Sequence, residues 1–189
     1  MSKSLLLVID FINEIVNPKA KTGVCAAHVA EKKVMDKANQ AIAWARGKKM
    51  PIAHVKVGFS DGYIECPKKS PVFSKAAENG VLKLGEWGTE FHDDMDVRPE
   101  DKVIIKHRIS AFYNTDLETV LRANGVETLY ICGVSTNMAV ELTSREAHDR
   151  DYQVVVISDA CGSFDEETHQ TALKVLTRIA NIITVAELA

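Results

Sequence analysis

The segment "TLYICGVSTNMAVELTSREA", residues 128–147, joins an apolar run to a stretch of helical composition. A short apolar run before a glycine is typical of a buried strand, and the residues that follow have the spacing of a helix. The junction "GVSTNMA" therefore predicts a tight turn between a strand and a helix. Enzymes of the α/β class often carry a nucleophile at such a turn. Here the first turn of the predicted helix carries Ala139.

The same alternation of strand and helix continues along the chain. Strand-like apolar runs are "SLLLVIDF", "PIAHVKV", "KVIIK", "ETLYICG", "QVVVISDA" and "NIITV". Helical composition occupies residues 30–48, 115–124, 136–150 and 165–179, with Asn114, Thr115 and Ser163 near predicted N-termini and Gly125 at a predicted C-terminus. Strands that alternate with helices are typical of a parallel sheet covered on both faces. We predict a three-layer α/β/α, Rossmann-like fold with a parallel six-stranded sheet, whose strand order stays open.

Residues 58–100 interrupt this alternation. The segment is rich in glycine and proline and shows no convincing element of regular length. Long loops inside a compact domain usually serve a function. We therefore expect this segment to cover or border a ligand pocket.

The composition narrows the possible functions. A chain of 189 residues with 46% hydrophobic and 26% charged residues is ordinary for one globular domain, which we place at residues 1–189. The net charge of −3 and the scattered basic residues predict no nucleic-acid or membrane partner and favour a small-molecule substrate. Neither a signal peptide nor a membrane-spanning stretch is predicted, so we expect a cytoplasmic protein.

The cysteines and histidines suggest neither disulfides nor a metal site. The four cysteines lack a C-x-x-C pair and are interpreted as free thiols. Cys132 is expected to be a buried apolar residue, whereas Cys161 is positioned to border the pocket. The six histidines show no spacing typical of metal ligands, and no glycine-rich nucleotide motif is present. We expect no metal and no cofactor.

Polar residues are concentrated where the predicted strands end. Asp10 ends the first strand, Lys106 the third, and "GVSTNMA" and "DACG" the fourth and fifth. In an open parallel sheet, ligands bind beyond the carboxyl ends of the strands, so these residues are expected to meet. Taken singly, Asp10 could cap a turn, Lys106 could be solvated, and Ser135 with Thr136 could cap a helix. Their joint placement favours a functional site.

Four segments together resemble the isochorismatase-like hydrolases, also called cysteine hydrolases. They are "LLLVIDFINEIV", "VIIKHRISAFYNTDLETVLRANGVETLYICGV", "GVSTNMAVELTSREA" and "VVVISDACGSFDEETHQTAL". In the amidases of this family the resemblance implies a catalytic aspartate, lysine and cysteine, which fall on Asp10, Lys106 and Ala139. It also implies a cis peptide at Val134–Ser135 and an oxyanion hole built from the amides of Ser135 and Ala139, which needs only backbone groups.

Three interpretations of Ala139 remain open. The first is a cysteine amidohydrolase whose nucleophile has been replaced by engineering. The second is a natural cysteine-free branch like isochorismatase itself, in which the aspartate protonates a vinyl ether and the lysine steadies charge. The "K-x-R-x-S-A-F" pattern around Arg108 resembles this branch at least as well as the amidases. The third is a catalytically silent binding protein on the same scaffold.

Further residues are expected to line the pocket because they adjoin the catalytic positions or lie in the long segment. They are Phe11, Ile15, Trp87, Arg108, Phe112 and Tyr113.

The resemblance also implies a homo-oligomer. Because groups held for chemistry are rarely optimised for stability, we expect changes at Asp10 or Lys106 to abolish turnover with little effect on the fold.

Overall fold

A six-stranded, entirely parallel sheet forms the centre of the molecule. The computed structural model describes residues 3–188. The strands are β1 (Ser4–Ile9), β2 (Ile52–Val57), β3 (Lys102–Lys106), β4 (Thr128–Val134), β5 (Gln153–Gly162) and β6 (Asn181–Ile183). Their order is β3-β2-β1-β4-β5-β6. All six predicted strands and the parallel α/β fold are confirmed, and the strand order that the sequence left open is now defined.

Helices connect the strands on both sides of the sheet. They are α1 (Asn13–Val16), α2 (Ala26–Glu31), α3 (Val34–Gly47), α4 (Ala76–Asn79), α5 (Leu117–Ala123), α6 (Glu141–Asp149) and α7 (Glu166–Leu176). The long helix α3 packs against β1, β2 and β5. Because parallel crossovers are right-handed, connections that run in opposite directions along the sheet place their helices on opposite faces.

Two helix boundaries differ from the sequence prediction. The helix predicted over residues 30–48 is divided, because Lys33 adopts a left-handed conformation with φ of 55° between α2 and α3. Asp165, rather than Ser163, caps α7: its carboxylate accepts a hydrogen bond of 2.7 Å from the amide of Thr168. Gly125, with φ of 60°, follows α5 as predicted.

β1 and β4 are neighbouring strands that approach each other closely. These neighbours connect to opposite halves of the sheet, which makes their carboxyl ends the usual ligand-binding crevice of a doubly wound fold. Ile9 pairs with Gly133, which has φ of 139°. A Cβ at Gly133 would overlap the backbone oxygen of Ile9 and lie 2.7 Å from its nitrogen. Only glycine allows this approach.

The long segment at residues 58–100 has its own small core beside the sheet. It contains only short helical pieces, α4 and the 3₁₀ turn Trp87–Thr89. Phe59 and Phe73 are buried there with ring centroids 5.6 Å apart, packed with Ile12 and Val57 from the sheet side. The segment is thus held by apolar packing at a fixed place next to the strand ends.

We predict that Gly133→Ala lowers the free energy of unfolding by about 3 kcal/mol or more, because the added methyl group meets backbone and the residue is left-handed. Gly47→Ala is the matched control. Gly47 lies in α3, and an added Cβ there has no neighbour within 4 Å, so this variant should be as stable as the parent or about 0.5 kcal/mol more stable. Urea denaturation of both measures the difference, and equal stabilities would contradict the prediction.

Candidate active site

Asp10 lies at the carboxyl end of β1, buried under the strand ends. Its backbone is left-handed, with φ of 59°, a conformation that aspartate tolerates better than most residues. One carboxylate oxygen, Oδ1, accepts a hydrogen bond of 2.9 Å from the amide of Val57 at the end of β2. The other, Oδ2, lies 2.7 Å from Nζ of Lys106. The two oxygens of the carboxylate are therefore held by groups from two different strands.

Lys106 reaches this carboxylate from the end of β3, across the width of β2. Its Nζ also donates to the carbonyl of Ile109 at 2.8 Å and to that of Arg108 at 3.2 Å. With Asp10 these acceptors match the three N–H bonds of an ammonium group. The chain after β3 turns back so that its carbonyls surround the charge, which makes the buried position of Lys106 possible.

Burial dominates the electrostatics of Asp10. It raises the pKa of the carboxyl above its ordinary value, while the Lys106 ammonium and the Val57 amide oppose this rise. A carboxyl with a raised pKa stays protonated to a higher pH than an exposed one. Asp10 therefore releases its proton at a higher pH than an exposed aspartate does.

The turn after β4 approaches the same point from the other side. The Val134–Ser135 peptide is cis, as the family resemblance implied. Residues Thr136–Val140 form one π-helical turn that leads into α6, and the carbonyl of Ser135 accepts from the amides of Met138 and Val140, both at 3.2 Å. Ala139 is 5% exposed and lines the same cavity as Asp10.

A cavity of about 360 Å³ brings the predicted catalytic positions together. Asp10, Lys106, Ser135 and Ala139 all line it, and so does Ile15. The remaining wall comes mainly from residues 22–25, from residues 72–82 of the long segment, and from Phe164. Most of the lining is apolar. The long segment thus borders the cavity, as its length had suggested.

Two aromatic residues expected in the pocket belong to the main core instead. Phe11 is 1% exposed and Phe112 is 4% exposed, and neither lines the cavity. The ring of Phe112 stacks on Tyr152 at 6.1 Å between centroids. The Arg150 guanidinium also lies over the Phe112 ring. Rings of this size gain most from complete burial, which explains their place in the core.

Three further pocket candidates lie elsewhere. Trp87 is 50% exposed and borders a separate depression with Lys21 and Gly88, and Tyr113 is 58% exposed. The guanidinium of Arg108 donates to the carbonyl of Glu65 at 3.0 Å and to the carbonyl of the residue that precedes Arg108. Arg108 therefore connects the long segment to the end of β3. Sequence adjacency to a catalytic residue did not place these side chains in the cavity.

Cys25 is a cavity residue that the sequence analysis missed. The loop that carries it is folded back by Glu14, whose carboxylate accepts from the amide of Thr22 at 3.0 Å. Burial and the nearby charge of Asp10 raise the pKa of Cys25 to about 12, so its thiol stays protonated near neutral pH. No local pattern marks Cys25, because it reaches the site only through the tertiary fold.

The other cysteines lie outside this cavity. Cys132 is fully buried, as predicted, whereas Cys161 borders a separate depression lined by His28 and His169. Burial raises the pKa of Cys161 to about 12. All four cysteines are free thiols.

Two features are missing from residues 3–188, the part of the chain that the structure describes. In this range no group of three or more His, Cys, Asp or Glu side chains has a geometry that could hold a metal ion. Over the same residues, no helix combines the length and the apolar character that a membrane crossing requires.

The geometry agrees with the comparison to known families. Residues 4–187 match the Isochorismatase domain. The chain belongs to the isochorismatase family of hydrolases. It is 32% identical to the isochorismatase family protein YecD of Escherichia coli O157:H7 over 188 residues, which cover 99% of this chain and 95% of YecD. It is also 32% identical over 196 residues to the ureidoacrylate amidohydrolase RutB of Methylobacterium radiotolerans, covering 96% of this chain and 73% of that protein.

Solved structures of isochorismatase-like proteins share the fold. The isochorismatase family protein from Desulfovibrio vulgaris superposes with a TM-score of 0.88 over 100% of this chain and 97% of that one, at 23% identity. The N-carbamoylsarcosine amidase from Thermoplasma acidophilum superposes with a TM-score of 0.77 over 98% of each chain, at 25% identity. The architecture of this isochorismatase-like hydrolase is therefore that of its family along nearly the whole chain.

The burial of the Asp10–Lys106 pair changes the expectation for substitutions there. Both side chains are at most 3% exposed, so removing either one leaves the other buried without its partner. We predict that Lys106→Met lowers the free energy of unfolding by about 3 kcal/mol. The double variant with Asp10→Asn should lose less than the sum of the single changes, because the two residues interact directly.

Lys102→Met is the control on the same strand. Lys102 pairs with Asp116 at the surface, where both side chains are more than a third exposed, so its loss should cost less than about 1 kcal/mol. Urea denaturation of Lys106→Met, Asp10→Asn, the double variant and Lys102→Met at one pH measures these differences. A cost for Lys106→Met no larger than that for Lys102→Met would refute the assigned role of the pair.

Proposed function

We propose that this protein hydrolyses a small enol ether by acid catalysis, with Asp10 as the proton donor and Lys106 as its electrostatic partner. The observation that carries this proposal is the buried carboxyl with a raised pKa, which opens into an apolar cavity where position 139 offers no nucleophile. Catalysis through a proton requires no thiol. The site as it stands is sufficient for this chemistry.

The proposed reaction begins with transfer of the Asp10 proton to the terminal carbon of the enol ether double bond. An oxocarbenium ion forms at the carbon that bears the ether oxygen, and the Asp10 carboxylate left behind offsets its positive charge. Water adds to this carbon and returns one proton to the Asp10 carboxylate, which gives a hemiketal. The hydroxyl proton of the hemiketal passes to the ether oxygen as its C–O bond breaks, so that a ketone and an alcohol are released and Asp10 is protonated again.

Cavity size and lining favour a small, partly apolar substrate. A volume of about 360 Å³ lies at the small end of ligand pockets. Arg108 and Lys106 both donate to groups of the protein itself, so another basic residue is needed to meet a substrate carboxylate. We assign that role to Lys75, an exposed basic residue that lines the cavity on α4's N-terminal side.

Amide hydrolysis is the second candidate, and the names of the amidohydrolase relatives favour it. That reaction requires a nucleophile in front of Asp10. Cys25 is unsuited to this role near neutral pH, because its thiol has a pKa of about 12. A cysteine at position 139 would supply the nucleophile, with the amides of Ser135 and residue 139 as the proposed oxyanion hole.

Three wider expectations stay predictions. We expect a homo-oligomer, a cytoplasmic location, and turnover that needs neither a metal nor a cofactor. A binding protein that has kept the cavity and lost the reaction is the alternative to both enzymatic proposals.

The sign of the pH dependence separates an acid from a base. If Asp10 donates the proton, turnover of isochorismate or a related enol ether is constant at low pH and falls as the pH rises through the pKa of Asp10, because the active form is the protonated one. The fall should lie above the pH expected for an exposed aspartate. Steady-state rates should be measured over the pH range in which circular dichroism shows an intact fold.

The control for this experiment is Asp93→Asn, which changes an exposed carboxyl and should leave the profile unaltered. Asp10→Asn should lower turnover by at least about 100-fold. A rate that increases with pH across the same range would show that Asp10 works as a base.

Ala139→Cys tests the amidase candidate directly. If the site is arranged for a thiol, the new cysteine lies at a helical turn near Lys106, and iodoacetamide should alkylate it faster than Cys25 and the other native cysteines. The variant should then release ammonia from small amides, which coupled assays detect. An unreactive thiol at position 139, together with no turnover of amides or enol ethers by the folded proteins, would leave the binding protein as the best account.

A further inference from the structure

A buried histidine, His169 of α7, contacts the turn after β4 that contains Ala139. Its Nδ1 lies 2.8 Å from Oγ1 of Thr136, the first residue of the π-helical turn. The same hydroxyl donates to the carbonyl of Gly162, at the end of β5, at 2.9 Å. A threonine hydroxyl has one hydrogen, which the carbonyl takes, so Thr136 must accept its second bond from His169. His169 therefore carries its proton on Nδ1.

A second histidine supports the next residue of the turn. Nδ1 of His28 accepts a hydrogen bond of 3.1 Å from the amide of Ser163, and the hydroxyl of Ser163 donates to Oδ1 of Asn137 at 2.7 Å. Since Nδ1 of His28 is an acceptor, its proton is on Nε2, which faces the Glu166 carboxylate at 3.1 Å. The two rings lie 5.5 Å apart. The side chain of Thr136 is thus bonded to β5 and α7, and that of Asn137 to Ser163, the residue after β5.

Neither histidine takes part in the proposed chemistry. Both border the separate depression that contains Cys161, on the far side of the turn from the catalytic cavity. Burial and the neighbouring His28 lower the pKa of His169, which keeps its ring neutral at ordinary pH. A neutral ring with the proton on Nδ1 is the form that the contact with Thr136 requires.

We propose that His169 is a positioning residue: its Nδ1–H fixes the hydroxyl of Thr136 against β5 and thereby holds the backbone of Ser135 and Ala139 in place beside Asp10. The inference rests on the proposed function, since it concerns the turn that faces the reacting atoms. Without this donor, the hydroxyl of Thr136 is free to bond elsewhere on the backbone, as threonines within helical turns do. The amides of the turn would then lose their fixed direction.

Matched substitutions separate the donor from the bulk of the ring. His169→Asn places an amide N–H near the position of Nδ1, His169→Gln places it near that of Nε2, and His169→Phe keeps a ring without a donor. Hydrogen exchange of the amides of residues 135–140 and steady-state turnover are measured for each variant. We expect about tenfold faster exchange and about tenfold lower kcat, at little-changed KM, for the Phe and Gln variants. The Asn variant should retain most of the parent's values.

A double variant tests whether His169 acts through Thr136. In a Thr136→Val background the donor has no acceptor, so adding His169→Phe should produce no further change in exchange or kcat. Additive effects would overturn the inference, as would unchanged exchange in folded His169→Phe. Equal behaviour of the Asn and Gln variants would overturn it as well, and this comparison still applies if the Phe variant fails to fold.

The two readouts distinguish this inference from the proposed function. Suppose that exchange at the turn responds as expected while the parent protein does not hydrolyse enol ethers and the Ala139→Cys variant does not hydrolyse amides. In that case the proposed function is wrong and the role of His169 in holding the turn stands. If turnover is present and exchange does not respond, the role assigned to His169 is wrong.

Discussion

The buried ion pair between Asp10 and Lys106 is the contact on which the site depends. Two opposite charges that are at most 3% exposed require complete hydrogen bonding, and the fold supplies it from three strand ends. The amide of Val57 meets the carboxylate, and the chain after β3 turns back to offer two carbonyls to the ammonium group. The proposed proton transfer depends on the same burial, because burial raises the pKa of Asp10.

The fold and the centre of the site were predictable because they depend on local patterns. Each strand is a short apolar run, and a parallel sheet places all strand ends at one edge, so Asp10, Lys106 and the turn at Ala139 had to come together. The division between α2 and α3 was not predictable in this way. It depends on one left-handed residue, Lys33, in a segment of continuous helical composition.

The cavity wall was the least predictable part, for a physical reason. Phe11 and Phe112 adjoin functional positions but gain more from burial in the core than from a place at the cavity. Cys25 and Phe73 lie far from any strand end in sequence and reach the cavity through loops whose course is decided by tertiary packing. Side-chain direction in such loops has no period from which it could be read. Motif spacing therefore predicted that Asp10, Lys106 and Ala139 lie together, but not which side chains form the rest of the cavity wall.

The packing of residues 58–100 has a consequence for how such proteins diversify. The segment contributes much of the cavity wall, yet it is held by a small apolar cluster of its own around Phe59 and Phe73, separate from the main core under the sheet. The acid, its lysine and the turn belong to the strand ends. Mutations at exposed positions of the segment can therefore change the cavity wall without altering the main core. A protein built in this way can present different side chains to a ligand by changing one peripheral segment, while Asp10 and Lys106 stay the same.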